Sequence, residues 1–167
     1  LAVHLLSTLG YKVTAATGKT EAHDWLRQLG ATDILPREAL SEPDPKALRP
    51  AQFAGAIDTV GEHTLVNILK SLRFGGSVAA CGIVGGTALP ADIFPFILRG
   101  VNLLGVASAD APLDARTRVL AKYAGLWKLP LLSSMCDTLT LDELGPRIDA
   151  MLSGNSQRRA LIRIAQD

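Results

Sequence analysis

The chain has 167 residues and carries 17 Lys+Arg against 16 Asp+Glu, so no strong field of either sign draws it to nucleic acid or to an anionic membrane surface. A hydrophobic content of 48% is enough for a buried core, yet no apolar run approaches the ~20 residues of a membrane-spanning helix. Two cysteines, Cys81 and Cys136, form neither a disulfide framework nor a zinc site, and His4, His23 and His63 lack metal-ligand spacing, so no metal is expected.

Residues 1–9 predict an amphipathic helix, with Ala2, Val3, Leu5, Leu6 and Leu9 on one face and Gly10 as its stop. His4 and His23 read as helix-surface residues. A short apolar strand over 11–16 follows, of the kind buried between two helical layers. It ends in Thr17-Gly18-Lys19. Residues 20–29 predict the next helix: Ala22, Trp25, Leu26 and Leu29 recur at i, i+3, i+4 and i+7, and Thr20 is placed to cap it. Trp25 reads as core packing. A strand at 31–35 leads into 36–49, rich in proline and charge, which reads as a surface connection with a short helical turn. Residues 53–60 form the next strand, apolar until Asp58, and Leu65, Ile68, Leu69 and Leu72 mark a helix face. Gly75-Gly76 turns the chain into a strand over 77–81, and 82–86 is a loop. Residues 93–98 form a short helix or turn, limited by Pro95. A strand over 101–108, a helix over 115–128 and a terminal strand over 161–164 complete the series.

Strands that alternate with helices imply an α/β fold, a Rossmann-like doubly wound parallel sheet covered on both faces. Ligands of such sheets bind outside the carboxyl ends of the strands. That rule selects residues 17–19, 58–61, 81–85 and 105–108. In a dinucleotide-binding fold the tip of the second strand meets the adenosine ribose: a carboxylate there suits NAD, and a cation suits the 2′-phosphate of NADP. Thr17, Gly18 and Lys19 offer a hydroxyl, a flexible backbone and an ammonium, so the reading leans to NADP. Each residue also has a plainer reading. Lys19 is equally a solvated lysine before a helix, Thr17 a turn cap, and Asp58 a partner for turn amides. Cys81 has no histidine near it in sequence and is not read as a nucleophile. The chain opens on Leu1 within a helix, without the strand and glycines of the G-x-G-x-x-G fingerprint. It therefore reads as part of a larger protein whose first strand and Gly-rich loop are absent. A small domain that starts with a helix after processing is the alternative.

The segments TGKTEAHDWLRQLGATDILPRE, GAIDTVGEHTL, GGSVAACGIVGGTALPADIFPFILRGVNLLGV and the terminal RRALIRI resemble the cofactor half of zinc-independent medium-chain dehydrogenase/reductases. The similarity is greatest to their acrylyl-CoA reductase and quinone oxidoreductase branch, covers nearly the whole chain and is weakest at 110–147. The resemblance implies an NADP-binding Rossmann domain over 1–150. It also implies a segment, 151–167, that returns toward a GroES-like catalytic domain not contained in the sequence. It implies cofactor contacts at Thr17, Gly18 and Lys19; along Cys81, Gly82 and Ile83 near the nicotinamide ribose; and along Gly105, Val106 and Ser108 beside the nicotinamide. Asp58 and Thr59 could line the adenine side. Arg159 matches a terminal arginine near the cofactor, although the family usually has Gly-Arg where this chain has Arg158-Arg159.

The implied activity is NADPH-dependent reduction of an α,β-unsaturated acyl-CoA. A quinone reductase on the same scaffold and a non-catalytic nucleotide-binding module are the alternatives. A methyltransferase-like fold is disfavoured, because those folds commonly place an acid at the strand tip that here holds Thr17-Gly18-Lys19. No catalytic residue is assigned, since the substrate-polarising groups are expected in the other domain. The apolar strand from Val101 to Val106 suggests an edge that pairs with a second copy, as related dehydrogenases pair, and the cytoplasm is the default location.

Overall fold

The structure, a computed structural model, describes residues 1–164; the last three residues of the predicted 151–167 segment lie outside them. Strands and helices alternate as expected for the Rossmann-like α/β class. The strands are β1 (Val13–Thr17), β2 (Ala31–Pro36), β3 (Phe53–Asp58), β4 (Leu72–Ala80), β5 (Asn102–Gly105), β6 (Cys136–Thr140) and β7 (Arg159–Arg163). The helices are α1 (Ala2–Thr8), α2 (His23–Gln28), α3 (Glu38–Ser41), α4 (Glu62–Ser71), α5 (Phe94–Arg99), α6 (Leu113–Ala124) and α7 (Leu144–Leu152). β1 bonds to β2, β3–β4–β5 form a second ladder, and β6 bonds to β7. The β3–β4, β4–β5 and β6–β7 pairings are parallel.

The chain divides into two compact units. The first comprises residues 1–15, 19–34 and 120 onward. Its buried apolar residues include Val13, Ala15, Leu29, Ala31, Leu129 and Met135. His4, expected on a helix surface, is instead 8% exposed. One of its ring nitrogens lies 3.3 Å from the Leu29 carbonyl oxygen and the other accepts the Leu131 N–H at 3.4 Å. The buried ring thus ties α1 to two other segments, which hydrophobic periodicity cannot reveal. The β6–α7–β7 segment belongs to this unit. Here Asp137 on β6 pairs with Arg147 of α7 and with Arg158 ahead of β7.

The second unit comprises residues 16–18 and 35–119. Its core is Leu40, Leu65, Ile68, Leu69, Leu72, Val78 and Val101, with Phe53, Phe96 and Leu103 packed against it. Leu69, Leu72 and Val78 have no exposed surface, and fully burying a side chain of this size contributes roughly 1.5–3 kcal/mol. The apolar pattern selects Leu65, Ile68 and Leu69 on α4 and Val78 on β4, whereas Leu72, expected on the same helix face, instead begins β4. Buried Asn67 donates from Nδ2 to the carbonyls of Leu40 and Glu42, both at 2.7 Å, and holds α3 on α4. Arg99 of α5 caps the end of α4 by donating to the carbonyls of Lys70 and Leu72. β4 begins five residues before the predicted strand: Phe53 pairs with Leu72, but Gly55 pairs with Ser77. Gly75-Gly76 therefore lies in an excursion within the strand and does not end it.

Candidate functional site

The carboxyl ends of β3, β4 and β5 are knitted together beyond the ladder. The Cys81 N–H donates to the Asp58 carbonyl at 2.9 Å, and the Val106 N–H donates to the Ala80 carbonyl at 3.0 Å. Asp58 is 2% exposed. One carboxylate oxygen accepts the Gly61 N–H at 2.9 Å and the other the Val60 N–H at 3.3 Å, so this side chain shapes the turn into α4 and matches its plainer reading. The loop after β4 folds onto that turn, with the Gly85 N–H donating to the Val60 carbonyl at 2.7 Å. Gly82 allows the approach: a β-carbon there would lie 2.2 Å from the Thr59 carbonyl oxygen, inside any permitted contact.

Between these loops is a pocket of about 350 Å³. Among the predicted residues it gathers Cys81, Gly82, Ile83 and Val106; Gly61, Glu62, Gly86 and Leu89 contribute further wall. Ile83, Leu89 and Val106 each expose between 45% and 67% of their surface, so much of the wall is apolar. Cys81 donates its thiol to the Asp58 carbonyl at 3.2 Å. Thr59 is exposed beside the pocket, and Gly105 and Ser108 lie along the adjoining strand end, outside the lining.

Glu62 was not selected from sequence. It is the first residue of α4 and has φ 48°, a left-handed conformation that costs a non-glycine residue roughly 1–2 kcal/mol. A carboxylate near a helix N-terminus recovers only about 0.3–1 kcal/mol at an exposed site. Its carboxylate lies against Gly86, where a β-carbon would stand 2.9 Å from Oε2. Among the described residues it has no hydrogen-bond or ion-pair partner.

At the tip of β1 the Thr17 carbonyl accepts the Arg37 N–H at 3.1 Å. The Arg37 guanidinium then lies along Gly18, so that a β-carbon on Gly18 would be 3.4 Å from Nε. Arg37 follows the end of β2 and is exposed. Sequence reasoning passed over it inside a proline- and charge-rich connection. The signal was there: a cation just beyond the strand that pairs with β1. Lys19, in the other unit, donates from Nζ to the Ser156 carbonyl at 2.5 Å. Arg159 is exposed on β7 in that same unit. Arg158 before it has φ 60°, the conformation a glycine takes without strain, at the position where the resemblance supplies Gly.

Among the described residues, no group of three or more His, Cys, Asp or Glu is placed to hold a metal ion, and no helix is long and apolar enough to cross a membrane.

A Rossmann-like α/β fold whose glycine-bearing loops converge at strand carboxyl ends defines a nucleotide-binding class of domain. Residues 1–124 match the family described as zinc-binding dehydrogenase, and the chain belongs to that family, within the medium-chain dehydrogenase/reductases. The acrylyl-CoA reductase AcuI of Ruegeria pomeroyi is 39% identical over 165 residues, 98% of this chain and 50% of that protein. The Bacillus subtilis protein YhfP, named for a quinone oxidoreductase activity, is 38% identical over 98% of this chain and 50% of its own length. Its structure with NAD bound matches with a TM-score of 0.92. The yhdH oxidoreductase of Salmonella enterica, solved with NADP, matches with a TM-score of 0.91 at 38% identity, over 98% of this chain and 50% of the other. The chain thus spans about half the length of the relatives it matches.

Proposed function

We propose that this chain is the cofactor-binding part of an NADPH-dependent oxidoreductase that reduces an α,β-unsaturated acyl-CoA, independently of zinc. The observation that carries the cofactor reading is the tip of β1, where the Gly18 backbone lies under the Arg37 guanidinium and the segment Thr17-Gly18-Lys19 holds no acidic residue. A guanidinium recognises phosphate oxygens in a planar, two-pronged manner. Thr17 supplies a hydroxyl at the same tip, and Lys19 a second cation next in sequence. The loops of Cys81–Gly82–Ile83 and Gly105–Val106–Ser108 offer backbone and apolar surface against which a flat ring can lie. Arg159 is the remaining proposed contact, and Asp58 acts by holding the turn behind the pocket. When bound, the dinucleotide supplies hydride transfer from nicotinamide C4 to the β-carbon of the unsaturated thioester, balanced by a proton at the α-carbon. This chain's residues bind and orient; no acid or base is assigned to them.

The substrate class rests on the likeness to the Ruegeria reductase. A quinone as hydride acceptor is the second reading, favoured by the name of the Bacillus relative. Turnover by the complete protein carrying this chain decides between them. The proposal expects NADPH oxidation to be fast with acryloyl-CoA and slow with a simple quinone. The reverse order overturns the substrate, and cofactor binding without turnover of either favours a non-catalytic module. We further propose a cytoplasmic homodimer through the Val101–Val106 edge, where β5 bonds only to β4 among the described residues. A monomeric mass in light scattering counts against that pairing.

A further inference from the structure

We propose that Glu62 is a ligand-binding residue, its carboxylate accepting the hydroxyl groups of the sugar on the nicotinamide side of the dinucleotide. The inference rests on the cofactor reading above. An ionised carboxylate is an acceptor only, with two oxygens that can take two donors at once. Glu62 is the single charged residue in the lining of the 350 Å³ pocket, whose other walls are glycine backbone, apolar side chains, Cys81 and Thr87. A lone negative charge in such a wall repels phosphate and favours neutral groups rich in O–H donors. Of the parts of a dinucleotide, the nicotinamide riboside meets that description and the phosphate-bearing adenosine half does not.

The ordinary explanation of a glutamate at this position is a favourable charge at the start of α4. That accounts for the carboxylate. It does not account for the left-handed backbone of Glu62, nor for a carboxylate that lines the pocket with no partner among the described residues.

The test compares two probes on the complete protein by titration calorimetry: NADPH, which carries the nicotinamide riboside, and 2′,5′-ADP, which carries only the adenosine half. In Glu62→Gly the NADPH dissociation constant rises about 10- to 100-fold, the loss expected for hydrogen bonds to a charged group. The 2′,5′-ADP constant stays within twofold, and the ligand-free melting temperature does not fall, since glycine accepts the backbone conformation. Glu62→Gln, which keeps the side-chain length, weakens NADPH in the same direction. Unchanged NADPH affinity in both variants, or equal weakening of both probes, overturns the role of Glu62 while leaving the cofactor reading in place. A wild-type protein that binds neither probe overturns both.

Discussion

At the scale of single residues, the site depends on how closely two loop backbones approach. Gly82 sits where a β-carbon would fall 2.2 Å from the Thr59 carbonyl oxygen, 2.7 Å from its carbonyl carbon and 2.8 Å from its α-carbon. All three are backbone atoms, so no side chain can swing aside. Gly82→Ala must push the loop after β4 away from the turn after β3. We expect a loss of about 1–3 kcal/mol, the usual cost of overpacking, together with weaker NADPH binding. Denaturant unfolding and a binding titration check the two halves of that statement, and an alanine variant with wild-type stability would show that the loops do not need this contact.

Which residues could be read from sequence follows the same logic. Cys81, Gly82, Ile83 and Val106 were identifiable because strand ends and glycines are local signals, and the pocket gathers all four. Arg37 and Glu62 were not. The place of Arg37 over Gly18 depends on a pairing between strands some fifteen to twenty residues apart, and the left-handed backbone of Glu62 has no compositional mark. At Asp58 both carboxylate oxygens accept turn amides.

At the scale of elements, the helix and strand cores of the second unit are legible because Leu65, Ile68, Leu69 and Val78 follow the periodicities of a buried helix face and a buried strand. The β6–α7 pair escaped notice for a physical reason. β6 is only half-buried along its length, with no continuous apolar run, and α7 has Gly145 and Pro146 in its first turn. The segment between β2 and β3 is held by polar contacts that sequence did not foretell. Asp44 accepts the Lys46 N–H at 2.9 Å and the Arg49 Nε–H at 2.6 Å, and its own carbonyl accepts the Lys70 ammonium at 2.7 Å. The Lys46 amide first, and then Arg49, hold the Asp44 carboxyl below its ordinary range. Glu143 is lowered likewise by the amide and hydroxyl of Thr140. A carboxyl lowered by folding adds stability above its unfolded pKa, about 3.9 for Asp and 4.3 for Glu. That stability is lost as pH falls through the lower folded value. Asp44→Asn should therefore unfold more readily than wild type at pH 7, with the gap narrowing below about pH 4. Melting curves across that range test it; a gap independent of pH would assign the loss to packing instead of charge.

At the scale of the whole molecule, family membership and the α/β class rest on nearly the full chain, whereas the chain supplies about half the length of its relatives. The ladders divide into a pair, a triplet and a further pair. The cofactor reading proposed above requires the tip of β1 to select a 2′-phosphorylated dinucleotide. Relatives of equal similarity have been solved with NAD and with NADP, so the claim must be carried by this chain's own residues. The direct measurement is the ratio of kcat/KM for NADPH to that for NADH in the complete protein, compared among wild type, Arg37→Glu and Lys19→Glu. Arg37→Glu should lower the ratio about 10- to 100-fold, as loss of a charge-assisted phosphate contact requires, while turnover with NADH persists. Lys19→Glu should move it in the same direction by less, because Lys19 donates to the Ser156 carbonyl. A ratio unchanged in both variants would contradict the claim.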